Sequence, residues 1–324
     1  MKVTLIDRSE ENSARFNDSF GKTPYNYSAE LDQYYRLINE KNIFRNYSFI
    51  VENEKELAIC CLVTSHEVAG KTVFSYLGNS MFYVENPSSY SLASGRALFK
   101  KHFRDLILGY ASRRLIYTQR DLDCGMNVMS RMLLDDGANV QIAFENWLDV
   151  RPDMSVLRSG LTKSFRSCVN WGLKNLDVQV HFGPDRLQMF DAFRKLHFSA
   201  AGRITRSDES WAWQRNEIAE KRAFLVTGSQ GERLVTGGLF LLKEETCVYA
   251  VAASDRALFD RPVGHAVIWR AIEFAKKMGS VSLKLGDNQF PFQNPSDDKA
   301  VAISRFKRSF GGIVRPLAVI SLEC

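Results

Sequence analysis

Four stretches in the second half of this 324-residue sequence group residues that could do chemistry. The most informative runs Ala252-Ala253-Ser254-Asp255-Arg256-Ala257-Leu258-Phe259-Asp260-Arg261-Pro262-Val263-Gly264-His265. It reads as a strand passing into a helix, with Pro262 near the first turn, where proline is favoured. Unpaired N–H groups and the positive dipole end gather there, and Arg256 and Arg261 flank them, which together suit a pyrophosphate or carboxylate. A well-capped helix with solvated arginines would give the same pattern. The second stretch is Leu196–Trp211, where Gly202 breaks a helix and Arg203 and Arg206 stand three apart in the loop that follows. Ser207, Ser210 and the acidic pair between them mark the next helix start. Polar groups on a loop beside Trp211 suit binding, although paired surface arginines are common.

The third stretch, Ile303–Gly312, sets Phe306 and Phe310 at i,i+4 toward a core and displays Arg305, Lys307 and Arg308. In the fourth, Leu157, Leu161, Phe165, Cys168 and Val169 form an apolar stripe at helical spacing. Arg158, Lys163 and Arg166 lie on other faces, where they could reach a phosphate or simply be solvated.

The elements that would position these groups alternate between strand and helix, and the order runs twice. In the first half a strand over 2–8 leads into helical stretches to about residue 40. Strands follow at Tyr47–Glu52, Leu57–Ser65 and Val73–Leu77, joined by turns at 53–55 and 68–71. A helix over 90–112, a strand at 115–119, a helix over 126–135 closing on Gly137, and a strand over 140–150 complete it. The second half begins with a basic helix over 155–175 and a strand at 178–182. Helices over 184–200 and 207–221 follow, then strands at 224–227, 234–242 and 247–253. A helix over 263–278, a strand at 281–285, a short helix over 301–310 and a strand at 313–320 finish it. Arg151-Pro152-Asp153 is the expected boundary, because proline stops the preceding strand. The expectation is an α/β (α+β) protein of two domains, 1–151 and 152–324, each a mixed, mostly antiparallel sheet flanked by helices. The halves are expected to pack face to face, with a ligand site in the cleft.

Composition narrows the function classes. Hydrophobic residues at 45% and charged residues at 25% match a globular protein with a sizeable core. A net charge of +6, from 43 Lys+Arg against 37 Asp+Glu, suits a small anionic ligand better than duplex DNA. The six cysteines contain no CxxC pair and five scattered histidines supply no partner motif, so no metal site is expected and the thiols read as reduced. No segment approaches the ~18 apolar residues of a membrane span, and the N-terminus lacks a secretory signal; the cytoplasm is the expected location.

On the basic helix Arg158–Lys174, the loop Gly202-Arg203-Ile204-Thr205-Arg206 with Ser210-Trp211, the run Ala250–Asp260 continuing through Gly264-His265 to Trp269, the strand end Leu285-Gly286-Asp287, and Arg305-Phe306-Lys307…Phe310-Gly311-Gly312, the second half resembles the FemAB-like branch of the GNAT N-acyltransferases, near its CelD-like acetyltransferases. These residues span about 155–315; the first half fits by element order. The resemblance implies two tandem GNAT-like domains, the second carrying most of the substrate cleft, and acyl transfer to an amine. Family members take acyl-CoA or aminoacyl-tRNA as donor. Members that use tRNA often carry a long helical hairpin that this sequence lacks, so acyl-CoA, with acetyl-CoA foremost, is the expected co-substrate and tRNA the second choice. The pyrophosphate loop Gln/Arg-x-x-Gly-x-Gly/Ala of ordinary GNATs is absent from both halves; its position reads Phe259–Gly264.

Such a reaction needs a deprotonated amine, donors for the oxyanion and reactants held close. The resemblance puts the oxyanion donor on a backbone N–H near Val251–Ala253. Candidate bases are Asp255, His265 and Asp287, of which His265 has the most suitable ordinary pKa. Arg203, Arg206, Trp211, Tyr249, Arg256, Lys307 and Arg308 are the expected substrate binders, and Arg261, Val263 and Gly264 the expected holders of the CoA. The acceptor would be a small anion: an amino sugar on a nucleotide or cell-envelope precursor, or an amino acid. A nucleic-acid-binding module and an inactive GNAT pair acting as a scaffold are the alternatives from other classes.

Overall fold

The computed structural model describes residues 1–5, 29–53, 56–291, 293 and 297–323. The expected strand beyond residue 5, the helical stretches before residue 29, Glu54 and Lys55 of the first turn, and Cys324 lie outside the described residues. The chain divides into two compact units, Met1–Ala143 with Pro316–Cys324, and Phe144–Arg315.

In the first unit, strands β1 (Lys2–Leu5), β3 (Phe49–Asn53), β4 (Glu56–Leu62) and β7 (Phe82–Glu85) form an antiparallel sheet in the order β1-β3-β4-β7. Strands β2 (Arg45–Asn46), β5 (Thr64–Val68), β6 (Lys71–Ser75), β8 (Arg113–Gln119) and β15 (Ile313–Glu323) belong to another, in the order β15-β8-β6-β5-β2. The expected single strand Leu57–Ser65 is thus cut in two. At the cut, Ser48 Oγ donates to Val63 O (3.2 Å) and accepts from Val63 N–H (3.1 Å), so a side chain satisfies backbone groups that a ladder would otherwise hold. The helices are α1 (Ala29–Ile38), α2 (Leu92–Leu108) and α3 (Val128–Asp135). Phe99, Phe103 and Ile107 of α2 recur at helical spacing and are all buried, in one cluster with Phe49, Val51 and Ala58 of the sheet. Helix α3 stops as the sequence implies: Gly137 takes φ +91° and donates its N–H to Leu134 O at 3.0 Å.

Strand β9 (Asn139–Asp149) carries the chain into the second unit. There β10 (Asp177–His181), β11 (Ala223–Gln230), β12 (Arg233–Lys243), β13 (Thr246–Ser254) and β14 (Ser282–Asn288) join it in the order β10-β11-β12-β13-β14-β9. All neighbours are antiparallel except β13 and β14. The helices are α4 (Met154–Ser159), α5 (Lys163–Asn175), α6 (Gln188–Ala201), α7 (Asp208–Ala219), α8 (Val263–Lys277) and α9 (Asp298–Arg308). Helix α8 lies on the face that presents Phe224 and Phe240, with Phe274 4.7 Å from Phe224. Helix α6 covers the opposite face, because β12 alternates: a Cβ on Gly237 would come within 2.8 Å of Phe193. Helices α5 and α8 approach closely at Gly172, where a Cβ would stand 2.6 Å from that of Ala266.

The expected basic helix over 155–175 is two helices. Gly160 ends α4, and Thr162 starts α5 by accepting from Phe165 N–H (3.3 Å). Arg166, expected to be able to reach a phosphate, instead turns back on the joint and donates to Ser159 O (3.1 Å) and Leu161 O (2.7 Å), satisfying carbonyls that the break exposes. The last strand also differs from a simple repeat: β15 pairs antiparallel with β8, from Ala318↔Gln119 to Glu323↔Arg114.

Candidate functional site

Strands β13 and β14 run parallel but pair only at Thr246↔Ser282, Cys247↔Leu283 and Val248↔Lys284. Each carries a bulge where the pairing stops. On β13 the register passes from Leu239↔Val251 to Phe240↔Tyr249, leaving Ala250 extra; on β14 it passes from Lys284↔Trp147 to Gly286↔Asn146, leaving Leu285 extra. Bulges bend and twist a strand, so the two edges part and enclose a cavity of about 690 Å³. Its walls come from β13 and β14, the end of α6 (His197, Ala200, Ala201), the start of α8 (Gly264, Val267) and α9 (Lys299, Ile303, Phe306, Lys307).

The parting leaves backbone donors on β13 with no partner strand. Asp255 N–H donates to Val235 O on β12 at 2.8 Å. Because ladder bonds alternate, Ala253 also faces β12, while the N–H of Ala252 points away from β12, into the cavity. This lies within the Val251–Ala253 stretch where the family resemblance implies an oxyanion donor.

Helix α8 opens on the same cavity. No side chain caps it; Val263 N–H bonds Arg261 O (2.9 Å) and His265 N–H bonds Pro262 O (3.3 Å). A Cβ on Gly264 would find only Phe306 Cζ, at 3.7 Å, so the glycine leaves the helix start approachable rather than serving close packing. Val263 itself is buried, and Arg261 is exposed beside Asp260 (3.3 Å).

The three candidate bases part company. Asp255 accepts from Ala257 N–H (3.0 Å), capping a short 3-10 turn over Arg256–Leu258, and pairs with Arg233. His265 is not among the residues lining the cavity. It packs against Phe165 (4.5 Å) and Phe306 (5.0 Å), and its Nδ1–H donates to Pro262 O (3.1 Å). Burial lowers its pKa and that hydrogen bond partly offsets the effect. Asp287 alone of the three lines the cavity.

Of the expected binders, Tyr249 and Lys307 line the cavity. Tyr249 is half-buried with its ring stacked 4.9 Å from Phe240, and burial raises its phenol pKa. Lys307, expected to be displayed, turns inward. Its Nζ donates to Asp287 O (3.2 Å) beside Gly286, whose φ of +90° brings the backbone close. Burial lowers the pKa of this ammonium; Asp287 opposes that shift and Lys284 adds to it. Lys284 is held by buried Glu145 at 2.7 Å. Arg308 leaves the cavity, donating to Asn288 and lying over Phe290. Arg256 ties its turn to α6 through Ala200 O (2.6 Å). Arg203 is exposed, Arg206 half-buried and Trp211 buried, with Arg206 5.7 Å above the Trp211 ring.

His197 was passed over as a candidate in the sequence, although it stands one turn before Gly202. It lines the cavity, and Arg206 donates to its Nε2 at 3.4 Å, which fixes the lone pair on that nitrogen. Its Nδ1 is buried without a partner. Burial first, and Arg206 second, lower its pKa, which favours the neutral ring. Among the described residues no group of three or more His, Cys, Asp and Glu is placed to hold a metal ion. No helix among them is long and apolar enough to cross a membrane.

No protein-family model and no curated protein matches the sequence. Solved structures do match the fold over nearly the whole chain. FemX aligns at a TM-score of 0.68 with 12% identity, covering 98% of this chain and 97% of its own. L-PGS from Bacillus licheniformis aligns at 0.58 with 12% identity, covering 96% and 91%. A tandem GNAT protein from the clavulanic acid biosynthesis pathway aligns at 0.56 with 12% identity, covering 99% and 98%. With its alternating elements and parted strand pair, this chain has the FemAB-like, tandem GNAT fold.

Proposed function

We propose that this protein is an N-acyltransferase that moves an acyl group from acyl-CoA, acetyl-CoA foremost, to the amine of a small anionic acceptor. The observation that carries this reading is the Ala252 N–H, directed into a cavity that also receives the uncapped start of α8. Acyl-CoA, when bound, supplies an activated acyl carbon and a thiolate leaving group. The residues present suit it: Gly264 leaves the helix start clear, and the N–H groups and dipole there, with Arg261 nearby, attract a pyrophosphate.

The chain's own groups then divide the work. Ala252 N–H stabilises negative charge on the carbonyl oxygen. His197, neutral and on the cavity wall, takes the proton of the attacking amine at Nε2 once Arg206 lets go of it; Asp287 is the other acid–base group there. Lys307 on the cavity wall, with Tyr249 beside it and Arg206 next to His197, draws in the acceptor's anion. An amino sugar on a nucleotide or cell-envelope precursor, or an amino acid, fits that description. The reducing cytoplasm, where buried thiols such as Cys60 and Cys61 stay free, is the proposed setting.

Thermal-shift titration with acetyl-CoA, longer acyl-CoAs and free CoA tests the donor. A native-state ligand at one hundred times its Kd adds ~2.7 kcal/mol of stability. Such a shift is expected with acetyl-CoA. No shift with any of them overturns acyl-CoA as donor and moves the aminoacyl-tRNA reading to the front.

A further inference from the structure

We propose that the acceptor is an α-amino acid with an apolar side chain, its carboxylate taking the place of His197 at Arg206. The inference rests on the acyltransferase reading above and names the substrate of that same cavity. Gly202 ends α6 in the left-handed conformation (φ +68°) and turns the chain toward α7. The loop then lays Arg206 over Trp211 (5.7 Å), whose ring also packs against His197 (5.1 Å between centroids). Arg206 thereby reaches His197 Nε2 at 3.4 Å, a long bond to a nitrogen lone pair.

A guanidinium so placed is open to an anion. Asp208, the nearest acid in sequence, pairs with Arg194, and among the described residues no carboxylate pairs with Arg206. Lys284 and Lys307, also on the cavity wall, already meet Glu145 (2.7 Å) and Asp287 O (3.2 Å). A carboxylate offers the guanidinium two charge-assisted bonds in place of one long neutral one.

Spacing selects the ligand class. In an α-amino acid the amine and the carboxylate share one carbon, so their nitrogen and oxygen stand roughly 3 Å apart. Arg206 Nη1 and His197 Nε2 stand 3.4 Å apart, so one such ligand can lay its carboxylate on the arginine and its amine on the histidine together. An amino sugar phosphate interposes further bonds between amine and anion. The wall beyond His197 selects the side chain. Ala200 and Ala201 continue α6 along the cavity, and Arg256 donates to Ala200 O (2.6 Å), which brings Phe259 to the same lip. Phe259 is 68% exposed there, apolar surface that an apolar side chain covers.

The same exchange serves the reaction. With Arg206 drawn to the carboxylate, the Nε2 lone pair is free, and the cation that helps lower the ring's pKa is offset. Lys284, Asp287, Lys299 and Lys307 line the cavity from β14 and α9. His197 takes one proton from the ammonium, and the nitrogen bonds the acyl carbon. The C–S bond breaks with its electron pair on sulfur, and the thiolate takes the nitrogen's second proton.

Isothermal titration of the full chain, with no acyl donor and again with free CoA present, tests the assignment. Leucine is expected to bind about ten- to a hundredfold more tightly than isoamylamine, which lacks only the carboxylate. Glutamate and glucosamine-1-phosphate should each bind about tenfold more weakly than leucine. Arg206→Gln should bring leucine down to the level of isoamylamine and leave isoamylamine itself unchanged. The inference is overturned if leucine binds in neither condition, if any of the other three matches it, or if Arg206→Gln weakens leucine and isoamylamine alike. Leucine binding without an acetyl-CoA thermal shift would sink the donor reading alone. An acetyl-CoA shift without leucine binding would sink this inference alone.

Discussion

The two units part a strand from its parallel neighbour in the same chain order but finish the opening differently. In the second unit the parted edge carries Ala250 and Ala252, and the cavity reaches the backbone. In the first, the matching edge carries Phe82, Tyr83 and Glu85, with Arg96 clamped on Glu85. The helices that follow each edge tell the same story through glycine. A Cβ on Gly264 in α8 would meet only Phe306 Cζ, at an unstrained 3.7 Å, whereas a Cβ on Gly95 in α2 would stand 3.1 Å from Met1 Cε and 3.2 Å from Ala58 Cβ. One glycine leaves its helix start uncrowded, and the other makes room for the chain itself. The duplicated architecture therefore specifies where an opening forms, and the side chains decide whether backbone chemistry is available in it.

The strongest test of this contrast fills the open edge. Ala252→Trp is expected to lose the acetyl-CoA thermal shift entirely, forfeiting the ~2.7 kcal/mol expected at one hundred times Kd. Its own Tm should change little, because Ala252 is exposed. Retention of the shift would break the comparison. Next come the two glycines. Gly95→Val should cost about 1–3 kcal/mol by overpacking, read by denaturant unfolding, with the acetyl-CoA shift intact. Gly264→Ala should do the reverse, gaining about 0.5–1 kcal/mol from helix propensity while weakening the shift. Equal behaviour of the two variants would mean that both glycines serve packing.

The smallest effect is a pH slope. Lys307 has its folded pKa lowered chiefly by burial, so between that value and the ordinary lysine value of about 10.4 the unfolded chain binds more protons. Stability contributed by this residue therefore rises with pH through that window, and the penalty for burying the ammonium is complete below it. Lys307→Met should remove the slope from a stability–pH curve. An unchanged curve would mean that Lys307 stays as hydrated as a surface lysine.

Much of this architecture is legible in the amino-acid sequence. The alternation of strand and helix signals, Gly137 after α3 and Ser207 before α7 all reflect local chemistry, and each appears where it was read. What escaped reading depends on partners far away in sequence. Nothing in the apolar run Leu57–Ser65 marks Val63 as the point where it changes sheet, because the cue is Ser48. The break at Gly160 hides inside continuing helical spacing, and its repair comes from Arg166. The inward turn of Lys307 depends on the close backbone at Gly286. His197 escaped for the same reason: its place on the cavity wall and its bond with Arg206 are facts of three-dimensional assembly.

Strand β15 also bears on the timing of folding. The second unit is one continuous stretch, Phe144–Arg315, whereas the first needs Pro316–Cys324 to cover the open side of β8. During synthesis, residues 1–143 leave the ribosome first, yet β8 must wait, its edge unpaired, until everything in the second unit has been made. Synthesis at about 5–20 residues per second makes that wait tens of seconds. The half translated first is thus the half finished last, and an unpaired strand edge exposed for that long is an invitation to chaperones and to aggregation.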